Sequence, residues 1–249
     1  FRRLWSEGQP IIVACVDRYL QGSWDPDYFS QSFGAENVSV VDCETNRNYR
    51  TTVRSFFEDF GAKDPSNCTI LKLKDWPPQT EFKTKFAHLY QDLIQATPAP
   101  DLTQPDGVWN LVAHFPLNGV VPDLGPKMYN AYGTQQDDHH HGSTRLHMDV
   151  TSAINLMLFA TPEDNGALGG AIWHIFPRSA TPQLRRFLSE TLEKGSNGDP
   201  IHNQQTYLTP SMLGRLRSDY GVSAYTIRQC PGEAIFIPAG CAHQVSLSY

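Results

Sequence analysis

The sequence predicts an all-β core, a β-sandwich or jelly roll, carrying helical additions and one inserted helical arm. From residue 111 onward, short apolar segments alternate with Pro, Gly, Asp and Asn, which is the texture of a sandwich or jelly roll. One long interruption of that series has helical periodicity on both sides of a Gly/Asn turn. The size, 249 residues with 40% hydrophobic and 18% charged side chains, is ordinary for one folded domain with one substantial core. Residues 1–249 are therefore expected to form a single domain.

Taken in order, residues 8–16 form a Pro-bounded run rich in β-branched side chains and read as a buried strand. In residues 51–60 the apolar side chains Val53, Phe56, Phe57 and Phe60 fall three and four apart, the spacing of an amphipathic helix. A second helix is predicted over 81–94, where Phe82, Phe86, Leu89, Tyr90 and Leu93 repeat in the same way. The short apolar segments that follow, 127–132, 146–150, 154–160, 171–176 and 234–238, are the predicted strands. Between the last two lies the arm: a helix over 181–194, a turn at 195–198 and a second helix over 210–220.

The formal net charge of -6 does not advertise the basic surface that phosphate binding needs, which argues against direct sequence-specific binding of nucleic acid. It suits a basic peptide. The longest apolar runs are far shorter than the roughly 20 residues of a membrane-spanning helix, so no membrane is expected. Five cysteines, Cys15, Cys43, Cys68, Cys230 and Cys241, are scattered and never in a CxxC pair, which favours a reducing compartment over a disulfide framework or a structural zinc site. The sequons at Asn37 and Asn67 would favour secretion if used, but such triplets often arise by chance. The chain starts at Phe1 with no charged-then-apolar leader and reads as a segment of a longer protein.

The chemistry is carried by two separated pieces. His147 and Asp149 lie two residues apart on a predicted strand, where period-two alternation puts both on one face. An HxD pair alone is weak, since such pairs also serve as surface ion pairs. Far downstream, an apolar strand ends in a Pro/Gly turn that presents His243. Two histidines and a carboxylate form a facial triad that suits iron(II), binding one face of the ion and leaving positions open. Zinc sites of the same composition usually close up or keep one water.

Residues 8–13, 71–78, 124–133, 147–157, 172–175, 199–202 and 236–245 together resemble the JmjC histone demethylases, and most nearly their hairless-related subfamily, in the same order over nearly the whole chain. The resemblance implies a cupin-like double-stranded β-helix and an iron(II)- and 2-oxoglutarate-dependent dioxygenase. It further implies removal of one or two methyl groups from lysine nine of histone H3, a methylated histone tail as substrate, chromatin or transcription complexes as partners through regions outside this segment, and a nuclear location. Residue by residue, it implies that His147, Asp149 and His243 bind iron and that Thr144, Asn155 and Tyr129 contact 2-oxoglutarate. Thr144 lies three residues before His147, so a bulge is needed to bring it to the same face. Asn155 could equally be a strand-end residue that bonds its own backbone.

One departure stands out. Many JmjC proteins place a lysine on the strand that here reads Gly170-Ala171-Ile172-Trp173, to neutralise the far carboxylate of 2-oxoglutarate, and the matching residue is Ala171. Lys127, Arg145 and Arg178 are the other cations considered. In the resembling subfamily a lysine on the strand after the distal histidine looks able to serve, so the segment, ending at Tyr249, is expected to lack its last core strand and that partner. Rival readings are a JmjC hydroxylase acting on a protein side chain and a chromatin adaptor with weakened catalysis.

Other histidines are set aside. His139, His140 and His141 read as a solvated loop. His174 beside Trp173 reads as a hydrogen-bonded core residue, and His88, His114 and His202 show no partner in the sequence. Trp173 and Phe236 are expected near the metal, excluding water.

Overall fold

The computed structural model describes residues 1–61, 69–77, 81–122, 124–133, 142–163, 166–192 and 198–248. Helix α1 (Arg2–Ser6) leads into strand β1 (Ile11–Val13), then α2 (Pro26–Phe33), β2 (Asn37–Asp42), β3 (Asn48–Thr52), α3 (Val53–Glu58) and β4 (Leu71–Trp76). Next come α4 (Phe82–Lys85), α5 (Ala87–Ala96), α6 (Pro100–Thr103), β5 (Met128–Ala131), β6 (Thr144–His147), β7 (Ala153–Leu156) and β8 (Gly170–Ile175). The chain closes with α7 (Thr181–Thr191), α8 (Pro210–Tyr220), β9 (Tyr225–Gln229), β10 (Ala234–Ile237) and β11 (His243–Ser248).

The strands form three antiparallel sheets, ordered β1-β10-β7, β6-β11-β8-β9 and β3-β2-β4-β5. Among the described residues they do not close into a barrel. The first two sheets face each other across one core: Met157, Ile235 and Ile237 from one side meet Ala171, Trp173, Ile175 and Val245 from the other. Alternation along each strand sets this arrangement, because residues two apart share a face. Phe236, between Ile235 and Ile237, points the opposite way and packs edge-on against Phe1 and Trp5. The expectation that Phe236 lies beside the metal is thus corrected: β10 is covered on both faces, so every residue in it is buried.

The third sheet carries its own core, in which Phe29, Phe56, Phe57, Trp76, Phe86 and Leu89 join α2, α3 and α5 to β2 and β4. Here the sequence reading is corrected twice. The helix expected over 51–60 begins at Val53, because Thr51 and Thr52 pair with Val38 and Asn37 in the β2–β3 ladder and Thr52 then caps the helix, its hydroxyl accepting from Ser55 N–H. The helix expected over 81–94 is two helices, broken where Phe86 leaves helical geometry (φ -121°, ψ 52°).

The arm forms where expected. Thr209 caps α8 by accepting from Met212 N–H, Pro210 follows it, and Gly221 ends the helix at φ 67°, a left-handed turn that glycine adopts without Cβ strain. In α7, Leu184, Phe187 and Leu188 are fully buried, three and four apart on one face. They pack with Leu216 of α8 and with Leu146, Phe176 and Ala242. Burying each such side chain contributes about 1.5–3 kcal/mol. The arm therefore covers the outer face of the sheet whose inner face holds the predicted site. Most of the expected 195–198 turn lies outside the described residues.

Candidate metal centre

β6 ends on His147, β11 begins on His243, and the two are register partners. Asp149 follows β6 by two residues, and two contacts fix its course: Gly240 N–H donates to the Asp149 carbonyl (3.1 Å) and Ala239 N–H to the Ser152 hydroxyl (3.2 Å). The Pro238–Gly240 turn before β11 is thus tied to the segment after β6. Gly240 sits at φ 75°, where a side chain would be strained. One ligand atom from each of His147, Asp149 and His243 lies within 4.8 Å of the others. His243 Nε2 is 3.8 Å from an Asp149 oxygen, and the two imidazole centroids are 4.2 Å apart.

Both rings are oriented by their own chain. His147 Nδ1 donates to the Arg145 carbonyl (2.9 Å) and His243 Nδ1 to the Cys241 carbonyl (3.0 Å). Each bond places the proton on Nδ1 and leaves the lone pair on Nε2, the arrangement a metal requires. Burial, then the neighbouring His147, pushes His243 down to about 4, so its imidazole is neutral at physiological pH. His243 is buried while His147 and Asp149 are half-buried, leaving one side approachable. Two neutral nitrogens and one carboxylate, tied off behind and open in front, fit a divalent ion such as iron(II) with positions to spare.

Residues 165–247 match the family described as JmjC domain, hydroxylase. That match takes in about a third of the chain. The matched stretch holds His243, whereas His147 and Asp149 precede it. Similarity to individual proteins spans more. Lysine-specific demethylase 3A-A of Xenopus laevis is 36% identical over 291 residues, covering 100% of this chain and 22% of that protein. Human lysine-specific demethylase 3A is 36% identical over 290 residues with the same coverage. Lysine-specific demethylase 3 of Drosophila melanogaster is 34% identical, covering 98% of this chain and 34% of its own length. The chain thus spans about a fifth to a third of the length of these relatives.

Around the triad, Trp173 stacks on His243 (centroids 6.0 Å, 28°), and its indole N–H donates to Gln229 Oε1 (2.8 Å). Gln229 is fully buried; its amide N–H groups donate to the Asn155 side-chain oxygen (3.2 Å), the Asn155 carbonyl (3.2 Å) and the Glu233 carbonyl (3.0 Å). Sequence reading missed this residue, because a glutamine in a β-strand carries no signal until the facing sheet is in place. Asn155 lies mid-ladder opposite Ile235, on the inner face, rather than at a strand end.

Thr144 pairs with Val245 while His147 pairs with His243, so β6 places two residues, Arg145 and Leu146, opposite the single Gln244 of β11. That irregularity is the bulge that brings Thr144 and His147 to one face. The Thr144 hydroxyl accepts from Lys72 Nζ (3.1 Å), and Lys72 lies 5.2 Å from the ring centroid of Tyr129, itself exposed. Lys72 is a second residue the sequence reading did not single out.

The remaining candidates resolve differently. Ala171 is buried on the inner face. Arg145 is forked onto the carbonyls of Gln205 and Cys43, and Arg178 onto that of Ala239. The hydrogen bond expected of His174 is absent at Nδ1, which is buried with no partner among the described residues, and burial lowers the ring's proton affinity. His88 Nε2 meets the Tyr28 hydroxyl (2.7 Å), and His114 Nε2 meets the Val108 carbonyl (2.9 Å). His139, His140 and His141 lie outside the described residues.

Proposed function

We propose that this chain is the catalytic domain of an iron(II)- and 2-oxoglutarate-dependent histone lysine demethylase, acting on mono- or dimethylated lysine nine of histone H3 in the nucleus. The observation that carries the reading is the His147–Asp149–His243 cluster, both imidazoles tied at Nδ1 and open at Nε2, on a chain similar over its full length to proteins named as lysine-specific demethylases. On this reading residues 1–249 form one domain, and the two facing sheets belong to a double-stranded β-helix. Partners in chromatin complexes would bind through regions outside the chain.

Bound iron would couple oxidative decarboxylation of 2-oxoglutarate to hydroxylation of an N-methyl carbon. The protein's part is placement. His147, Asp149 and His243 would hold the ion. Trp173 shields His243 from water, and Gln229, by engaging the Asn155 oxygen, leaves the Asn155 NH2 as the donor toward an anionic cosubstrate. The hydroxylated methyl group is a hemiaminal, which releases formaldehyde and leaves the amine with one methyl fewer. A net charge of -6 favours a basic tail over nucleic acid.

The test is to incubate the full-length protein with iron(II), ascorbate, 2-oxoglutarate and mono- and dimethylated histone H3 peptides, and to follow peptide mass. Loss of the mass of one methylene is expected. Gain of one oxygen would make the protein a hydroxylase, and an unchanged mass with every peptide would favour an adaptor.

A further inference from the structure

We infer that Lys72 supplies the cationic partner of the far carboxylate of 2-oxoglutarate; the inference rests on the cosubstrate reading above. A five-carbon dicarboxylate chelated through its keto-acid end presents a second carboxylate away from the metal, and an anion taken out of water needs a cation or several donors. The strand position where related enzymes carry a lysine holds Ala171, whose methyl group faces the core. Arg145 and Arg178 are held on backbone carbonyls elsewhere.

Lys72 stands on β4, in the third sheet, where that sheet abuts the start of β6. Its ammonium donates to the Ser143 carbonyl (3.1 Å) and the Thr144 hydroxyl (3.1 Å) and lies 5.2 Å from the Tyr129 ring centroid. Thr144 and Tyr129 are two of the three residues that the family resemblance assigns to the cosubstrate, and Lys72 joins them. A hydroxyl oxygen that accepts from an ammonium keeps its own O–H to donate. Lys72 and Thr144 thus present a cation and a donor side by side, the pairing a carboxylate accepts best. Through the bulge, Thr144 shares a face with His147, and because their partners Val245 and His243 are two residues apart on β11, the two lie roughly 7 Å from each other at ~3.3 Å per residue. The keto-acid end would meet the triad and the far carboxylate the Lys72–Thr144 pair.

The experiment compares the unchanged full chain with Lys72→Ala, Lys72→Met and Lys72→Arg. Each protein is loaded with iron(II) without oxygen and titrated calorimetrically with 2-oxoglutarate and, separately, with 2-oxobutyrate, which lacks the far carboxylate. Removing the ammonium should weaken 2-oxoglutarate about ten- to a hundredfold, the range for a hydrogen bond to a charged group. Iron content and 2-oxobutyrate affinity should stay unchanged, and Lys72→Arg should recover most of the loss. Lys72→Met keeps the apolar stem, so it carries the test if Lys72→Ala does not fold. Unaltered 2-oxoglutarate affinity would overturn the inference, as would an equal loss for both acids, which marks a purely structural lysine. If the unchanged protein binds iron but neither acid, the cosubstrate reading itself falls, and Lys72 with it.

Discussion

Replacing Gln229 with Leu tests how the two facing sheets are joined. The side chains have similar volume, so little cavity results, and the effect is one of hydrogen bonds. Gln229 is fully buried and receives the Trp173 indole N–H (2.8 Å); in the variant that donor has no partner, which costs about 1–3 kcal/mol. The Asn155 side-chain oxygen loses a donor as well, worth about 1 kcal/mol. The backbone carbonyl of Glu233 also accepts from Met157 N–H (3.0 Å), so losing the Gln229 bond there should matter less. A total of about 2–4 kcal/mol corresponds to a fall in Tm of about 5–15 °C for a domain of this size. Urea melts followed by tryptophan fluorescence and circular dichroism would measure it. Trp173→Phe removes the stranded donor, so the double variant should be more stable than the sum of the single losses by about 1 kcal/mol or more. Strict additivity, within about 0.5 kcal/mol, would refute the proposed coupling.

Asp149→Ala should abolish iron binding while shifting Tm by only a few degrees, since the carboxylate side chain is 43% exposed and adds little to the core; retained stoichiometric iron by metal analysis would sink the triad. The metal-free protein should lose stability on acidification. His243 binds its proton less readily folded than unfolded, so its contribution is whole above its ordinary value of 6.5 and is lost as pH falls toward about 4. His174, also lowered by burial, acts in the same direction; urea midpoints that do not move between those pH values would contradict it. Gly142→Ala should destabilise by about 2 kcal/mol or more, because a Cβ there would stand 2.4 Å from the Val245 carbonyl and 2.3 Å from the Tyr207 ring. A melting curve unchanged from the parent would show that this approach is loose.

What could be read from the sequence depended on how local the cause was. Helix α8 matched its expected bounds because its cap, its proline and its terminal glycine are all neighbours in the chain. The separation of His147 and Asp149 by two residues, and the turn before His243, are equally local, which is why these residues could be named before their approach was known. Phe236 was misplaced because a strand covered on both faces shows no alternation. The last two residues of strand β3 were read as helix because Thr51 and Thr52 adjoin a helical spacing, and only pairing with β2 decides between them. Lys72 and Gln229 were invisible for a stronger reason: each matters through a partner 72 and 74 residues away, Thr144 and Asn155.

The helical arm leaves the sheet after Ile175 and returns at Tyr225, and those two residues face each other across the β8–β9 ladder. An excursion that begins and ends at paired positions behaves like the loop of a very long hairpin. Its length can change without shifting the register of β8 or β9, and closing a longer loop adds only about 0.6 kcal/mol per doubling. The arm could accordingly lengthen, shorten or be exchanged in evolution while His243, on the next strand over, kept its place opposite His147.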